Sequence, residues 1–170
     1  MKIRLDYFHL SGGGGFGTSI ILKMRVGAGG LEDITEAILI SGIGEINHRN
    51  MITDGVELFY IASDGVRDTV FKRKCADLTY VDGTYQMPTT FNGSDFFTDI
   101  MGITLLGDNL YVLDSHSTGG SVPRVVVFDK ESFDYVTEYD LNDVSDGIWV
   151  KGIDNDGSAV YVVTAEGVIR

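Results

Sequence analysis

The chain has 170 residues, 44% of them hydrophobic, which suits one domain with a real core and excludes a disordered tail or a fibre. Thirteen basic against 25 acidic residues give a net charge of −12, which repels phosphate backbones and argues against a nucleic-acid partner. Gly is abundant at 22 and Pro scarce at 2, as tight turns between short strands require.

The chain opens with MKIRLDYFHL, where Lys2, Arg4 and Asp6 interrupt the apolar run that a signal peptide needs. No stretch approaches the ~20 apolar residues of a membrane span. A soluble protein is expected, cytoplasmic when made, with assembly into a virus particle left open. LDYFHL at 5–10 reads as a strand.

SGGGGFGTS at 11–19 comes close to a phosphate-binding loop. Such a loop needs a lysine after its last glycine, where Thr18 stands, and a helix after it to supply aligned N–H groups. SIILKMRV follows, which is strand, so the glycines are expected to form a hairpin loop. DITEAILI at 33–40 reads as the returning strand. His48 is expected in a connecting loop, and neither it nor His9 has neighbours at metal-ligand spacing.

Downstream, NMIT, the Asp54-Gly55 turn and LFYIAS at 58–63 form a hairpin pattern, because Asp-Gly tolerates the positive φ of such turns. DGVRD and the strand DTVFKRK at 68–74 follow. Lys72-Arg73-Lys74 is expected to guard an exposed sheet edge. Cys75 is the one cysteine, which excludes an internal disulfide framework and any multi-cysteine metal site. DLTYV at 77–81 is a candidate fourth strand. The connection QMPTTFNGSDFFTD at 86–99 is long and carries Phe91, Phe96 and Phe97 among small polar residues. Those aromatics suit a partner or a sugar, or else fold back as a plug over the sheet.

The pattern then returns. MGITLL at 101–106, the Gly107-Asp108-Asn109 turn and LYVLDS at 110–115 lead through HSTGGSVP to RVVVFDK at 124–130 and YVTEYDL at 135–141. GIWVKGI at 147–153, the Asn155-Asp156-Gly157 turn, VYVVTA at 160–165 and GVIR begin it once more. Tyr7, Tyr60, Tyr111 and Tyr161 lie at equivalent places, spaced 53, 51 and 50 residues apart. A regular period of that size marks a repeated unit. Four antiparallel strands per ~50 residues is one β-propeller blade, and consecutive apolar positions as in RVVVF and AVYVV fit strands covered on both faces.

The expected fold is therefore all-β, a β-propeller-like array of about three four-stranded antiparallel blades whose ends fall within a blade. It forms one domain over 1–170, with approximate repeats at 1–46, 47–99, 100–150 and, in part, 151–170.

Catalytic constellations are thin. Asp114, His116 and Ser117 are close in sequence, but triads are assembled from distant segments, and these residue types also form turns. Asp154 and Asp156 carry part of a calcium loop; Gly152 stands where a further oxygen ligand belongs, so a turn is favoured and a weak cation site is the lesser alternative.

From Ile103 onward, GDNLYVLDS, RVVVFDKESFDYVTEYDL and SDGIWVKGIDNDGSAVYVVTAEGVIR resemble the blades of NHL-type and related six-bladed propellers. The resemblance implies a fold and little more. The Gly-His and Trp-Asp pairs of WD-type blades are missing, since Val150 follows Trp149. Lactonase-like members of the six-bladed class would imply an axial calcium, for which no residue here is singled out.

The expected function is a non-enzymatic structural or interaction module, working as a homo-oligomer or within a larger particle such as a phage virion surface. No cofactor is expected. Phe91, Phe96, Phe97 and Trp149 are the candidate partner-binding residues. A carbohydrate-binding propeller is the first alternative and a calcium-dependent hydrolase the second.

Overall fold

A computed structural model describes residues 3–4, 19–27, 30–40, 46–63, 67–83, 85–88, 90–93, 97, 99–115, 122–141, 150–165 and 167–169, with side chains from Asn50 onward. Every regular element among them is a β-strand, and no helix there is long and apolar enough to cross a membrane.

The strands form four antiparallel sheets, each running in chain order. The first joins β1 (Ile3–Arg4), β2 (Ser19–Gly27) and β3 (Gly30–Ile40), and the second β4 (Ile46–Thr53), β5 (Glu57–Ser63) and β6 (Asp68–Lys74). The third joins β7 (Ile100–Leu106), β8 (Asn109–Asp114), β9 (Arg124–Asp129) and β10 (Tyr135–Asp140). The fourth joins β11 (Val150–Asn155), β12 (Val160–Thr164) and β13 (Val168–Ile169). Among the described strands, no pairing joins one sheet to another.

The expected strands at 58–63, 68–74, 110–115, 124–130, 135–141 and 160–165 are present within a residue of their expected ends. Strand β2 follows directly after the glycine run, as SIILKMRV requires; the run itself, LDYFHL at 5–10, His9 and His116 lie outside the described residues. Two expectations need correction. His48 lies within β4 rather than in a loop. DLTYV is not a regular strand: Leu78 takes φ +58°, and only Tyr80 pairs with β6, opposite Arg73.

Period-two alternation explains the long apolar runs. In β5, Phe59 and Ile61 face the third sheet, while Leu58, Tyr60 and Ala62 face the opposite way with Phe71, Cys75 and Leu78. In β8 and β9, Leu110, Val112, Val126 and Phe128 face the second sheet, and Leu113 and Val125 face the fourth with Val150, Ile153 and Val162. The second and third sheets are thus buried on both faces. Strand β7 lies against both β4 and β11. The approach to β11 is close, since a Cβ on Gly102 would stand 3.2 Å from Ile153 Cγ2. Asn155 Nδ2 fixes that junction by donating to Thr104 Oγ1 at 2.6 Å and to the Leu105 carbonyl at 2.9 Å.

The hairpin turns use carboxylates as internal caps. Asp54 Oδ1 accepts from the N–H groups of Val56 and Glu57, and Asp156 Oδ1 from those of Ser158 and Ala159. Gly157 holds φ +86° with open space about it, so only backbone conformation opposes a side chain there. Gly157→Ala is expected to cost about 1 kcal/mol in urea denaturation, through left-handed backbone strain alone.

Candidate interaction site

Lys72 and Arg73 of the basic triplet on β6 are buried and Lys74 is part-exposed, which corrects the triplet's expected role at an exposed edge. Its edge is covered instead by the segment after it: Lys74, Lys72 and Met87 donate backbone N–H bonds to Thr79, to Tyr85 and to Val70 respectively, the Met87 bond being the reciprocal one. The alternation of β6 then sends Lys72 and Arg73 to opposite faces of the sheet.

Lys72 points into the junction between the second and third sheets. Its Nζ donates to the carbonyls of Lys130 at 3.1 Å and Glu131 at 2.7 Å, and lies 3.4 Å from Glu57 Oε2. The ring of Phe133 lies 5.0 Å from the ammonium and that of Phe59 lies 5.9 Å away. Phe133 holds φ +60°, and its ring, packed edge-on to Phe59, occupies the same junction. Burial pushes the Glu57 carboxyl up, although Lys72 pulls the other way. At the rim, Lys130 Nζ donates to Asp54 Oδ2 at 3.0 Å. That bond holds the Lys130 ammonium above its ordinary range despite partial burial. These contacts clamp one sheet to the next across 58 residues of sequence or more.

Within the third sheet, Asp114, Arg124 and Glu138 bind β8, β9 and β10 together. Arg124 Nε lies 3.4 Å from Asp114 Oδ2, and Nη1 lies 3.3 Å from Glu138 Oε2. The Arg124 guanidinium sits 5.1 Å from the Phe91 ring. Asp114 also accepts from the Asp99 N–H at 3.2 Å, and Asp68 from the Ile100 N–H at 3.0 Å. Both carboxylates therefore guide the chain into β7. His116 and Ser117, which share the LDSHS stretch with Asp114, lie outside the described residues.

Of the candidate partner-binding residues, Phe91 and Phe97 are only 5% and 2% exposed. Their rings lie 4.7 Å apart and pack on Phe128, with Phe91 stacked on Tyr135. Phe91 and Phe97 thus plug the third sheet, and these two rings are packing residues. Phe96 and Trp149 lie outside the described residues.

Asp156 serves the β11–β12 turn. Its Oδ2 accepts the Tyr161 hydroxyl at 2.7 Å, and Oδ1 accepts from Ser158 and Ala159. The Tyr161 hydroxyl, followed by the Ser158 and Ala159 donors, holds this carboxyl far below the usual range. Asp154 Oδ1 accepts from the Asn155 N–H. Among the described residues, no three His, Cys, Asp or Glu side chains come together as a metal site.

The fourth sheet differs from its neighbours. Val162 and Thr164 of β12 are buried, but Val163 is 41% exposed and pairs directly with Val168 of β13, 64% exposed. Opposed residues on antiparallel strands share a face, so the two valines form an apolar pair on the outer side. The AVYVV run had suggested burial on both faces; here only the inner one is covered by a described sheet. Sequence gave no means to separate this run from RVVVF, because the difference lies in what packs outside it. The chain matches no protein-family model and no curated protein.

Proposed function

We propose that this chain is a non-enzymatic interaction or structural module built of β-propeller-like blades, and that it works as an oligomer or as part of a larger particle. Each sheet is an antiparallel meander in chain order, and the first strands β4, β7 and β11 lie next to one another. Radial arrays of blades bring successive first strands together in this way. The second, third and fourth sheets stack face to face through shared apolar layers, as blades do.

The observation that carries the partner is the Val163–Val168 pair. On the third sheet the corresponding outer side is covered by the fourth; on the fourth sheet it faces solvent with two paired valines. A blade from a second copy continues the same stacking pattern there. Such a junction adds an apolar layer of the kind already formed twice within the chain, and it needs no new chemistry.

The test is a charge introduced into that face. Val163→Asp and Val168→Asp together are expected to weaken self-association by on the order of 100-fold, since the pair would bury two unpaired carboxylates. Both side chains are exposed in the single chain, so its thermal midpoint should hold. Sedimentation velocity across a concentration series reads the first effect and thermal denaturation the second. Unchanged association would remove this face from the proposal.

A further inference from the structure

From the segment that covers β6, we infer that Tyr80 and Tyr85 form a docking platform for a neutral carbohydrate. The two rings lie 4.9 Å apart, tilted by 52°, and are 39% and 44% exposed.

The platform is rigid for physical reasons. The Arg73 guanidinium stacks on Tyr80, 3.8 Å from the ring centroid. Arg73 is itself fixed, because Nε donates to the Tyr60 hydroxyl at 2.9 Å and Nη1 to the Leu78 carbonyl at 3.0 Å. The backbone is pinned on either side, by Lys74 N–H to Thr79 at one end and by Lys72 N–H to the Tyr85 carbonyl at the other. A ring ordered before binding loses little entropy on binding.

Beside Tyr85 lies a shallow, open depression of about 270 Å³, lined by Gly83, Tyr85, Gln86, Met87 and Pro88. It is smaller than the ~300–1,000 Å³ of pockets that enclose drug-sized ligands, and its openness suits one ring of a longer chain that continues into solvent. A pyranose offers an apolar C–H face for the Tyr85 ring and hydroxyls for the Gln86 amide, which can both donate and accept. Among the described residues, two cations face two carboxylates here: Arg73 against the Tyr80 ring, and Lys74, which lies 3.5 Å from Asp82 and within electrostatic reach of Asp77. The site therefore offers no net charge for an anionic or cationic sugar. A proline-rich peptide would need a groove between parallel aromatic ridges, and these two rings are tilted by 52° to one another.

The experiment probes the full chain against an array of neutral oligosaccharides of glucose, galactose, mannose and N-acetylglucosamine, with a proline-rich decapeptide alongside. Retention of at least one neutral oligosaccharide is expected, and titration with it should show Tyr85→Ala weakening binding about tenfold. Tyr85→Trp should retain binding, because stacking survives. Val163→Asp with Val168→Asp should leave it unchanged, which separates this site from self-association. Retention of no neutral oligosaccharide, preference for the peptide, or equal binding by Tyr85→Ala would each overturn the inference.

Discussion

Replacing Lys72 by Met is expected to destabilise the protein by about 3–5 kcal/mol, as removal of one partner from a buried ion pair does. The hydrocarbon stem is kept, so packing against Phe59 and Phe133 survives and the loss is that of the charge. Glu57 is then left buried without its counter-ion, and the Lys130 and Glu131 carbonyls lose a donor. Adding Glu57→Gln should recover part of the loss, because the remaining group no longer carries an unpaired charge. The pH dependence has a definite sign. The folded Glu57 carboxyl is raised above its ordinary value, with burial the leading cause. Its protonation therefore favours folding; that advantage is full below the unfolded pKa and is lost as pH rises through the folded one. Without Lys72 the carboxyl rises further. The deficit of Lys72→Met relative to the unaltered chain should shrink between about pH 7.5 and about pH 5. Comparison at each pH is needed because Asp54 works in the opposite direction. Burial raises it, but the Glu57 and Val56 N–H groups and Lys130 outweigh that and lower it, so its contribution fades in acid. Urea denaturation at the two pH values reads both effects. A deficit below about 1 kcal/mol, the size of a surface pair, would show that the clamp does not hold the sheets.

Phe128→Ala should cost a similar amount, about 3–5 kcal/mol, for a different reason. Phe128 is fully buried, and three other rings, Phe91, Phe97 and Tyr135, pack on it. Truncation opens a cavity where the second sheet, the third sheet and the plugging rings of Phe91 and Phe97 meet. The rigid sheets cannot collapse into that space, so the cavity should persist. The plug should then loosen with the core. Exchange of the Met87 N–H, which is bonded to the Val70 carbonyl, should speed up together with the global loss. Val136→Ala on the exposed side of β10 provides the contrast and should change stability by less than about 0.5 kcal/mol.

Much of the strand pattern was readable because alternation and turn chemistry are local. Asp54-Gly55, Gly107 and Asn155-Asp156-Gly157 needed only their own residue types to declare a turn, and all three glycines hold positive φ. Strand β6 was equally plain from DTVFKRK. What escaped was what each face meets. Lys72 reads as a solvated cation until the Lys130 and Glu131 carbonyls, more than fifty residues away, are brought onto it. Tyr80 sat in a stretch assigned to a strand, and nothing nearby in sequence announced that Arg73 would stack beneath its ring. For Phe91 and Phe97 the sequence left recognition loop and plug both open, because small polar residues surround them; the ring of Phe128 that buries them comes from β9. Long-range packing decided each of these cases, and local composition does not encode it.

The mass of the unaltered chain in solution, by light scattering after size exclusion, bears most directly on the proposed role. A defined oligomer of two or more chains, stable across a wide concentration range, is the expected result, with the Val163–Val168 face covered. A clean monomer at every concentration would contradict it and would leave the apolar outer face of the fourth sheet without the partner assigned to it.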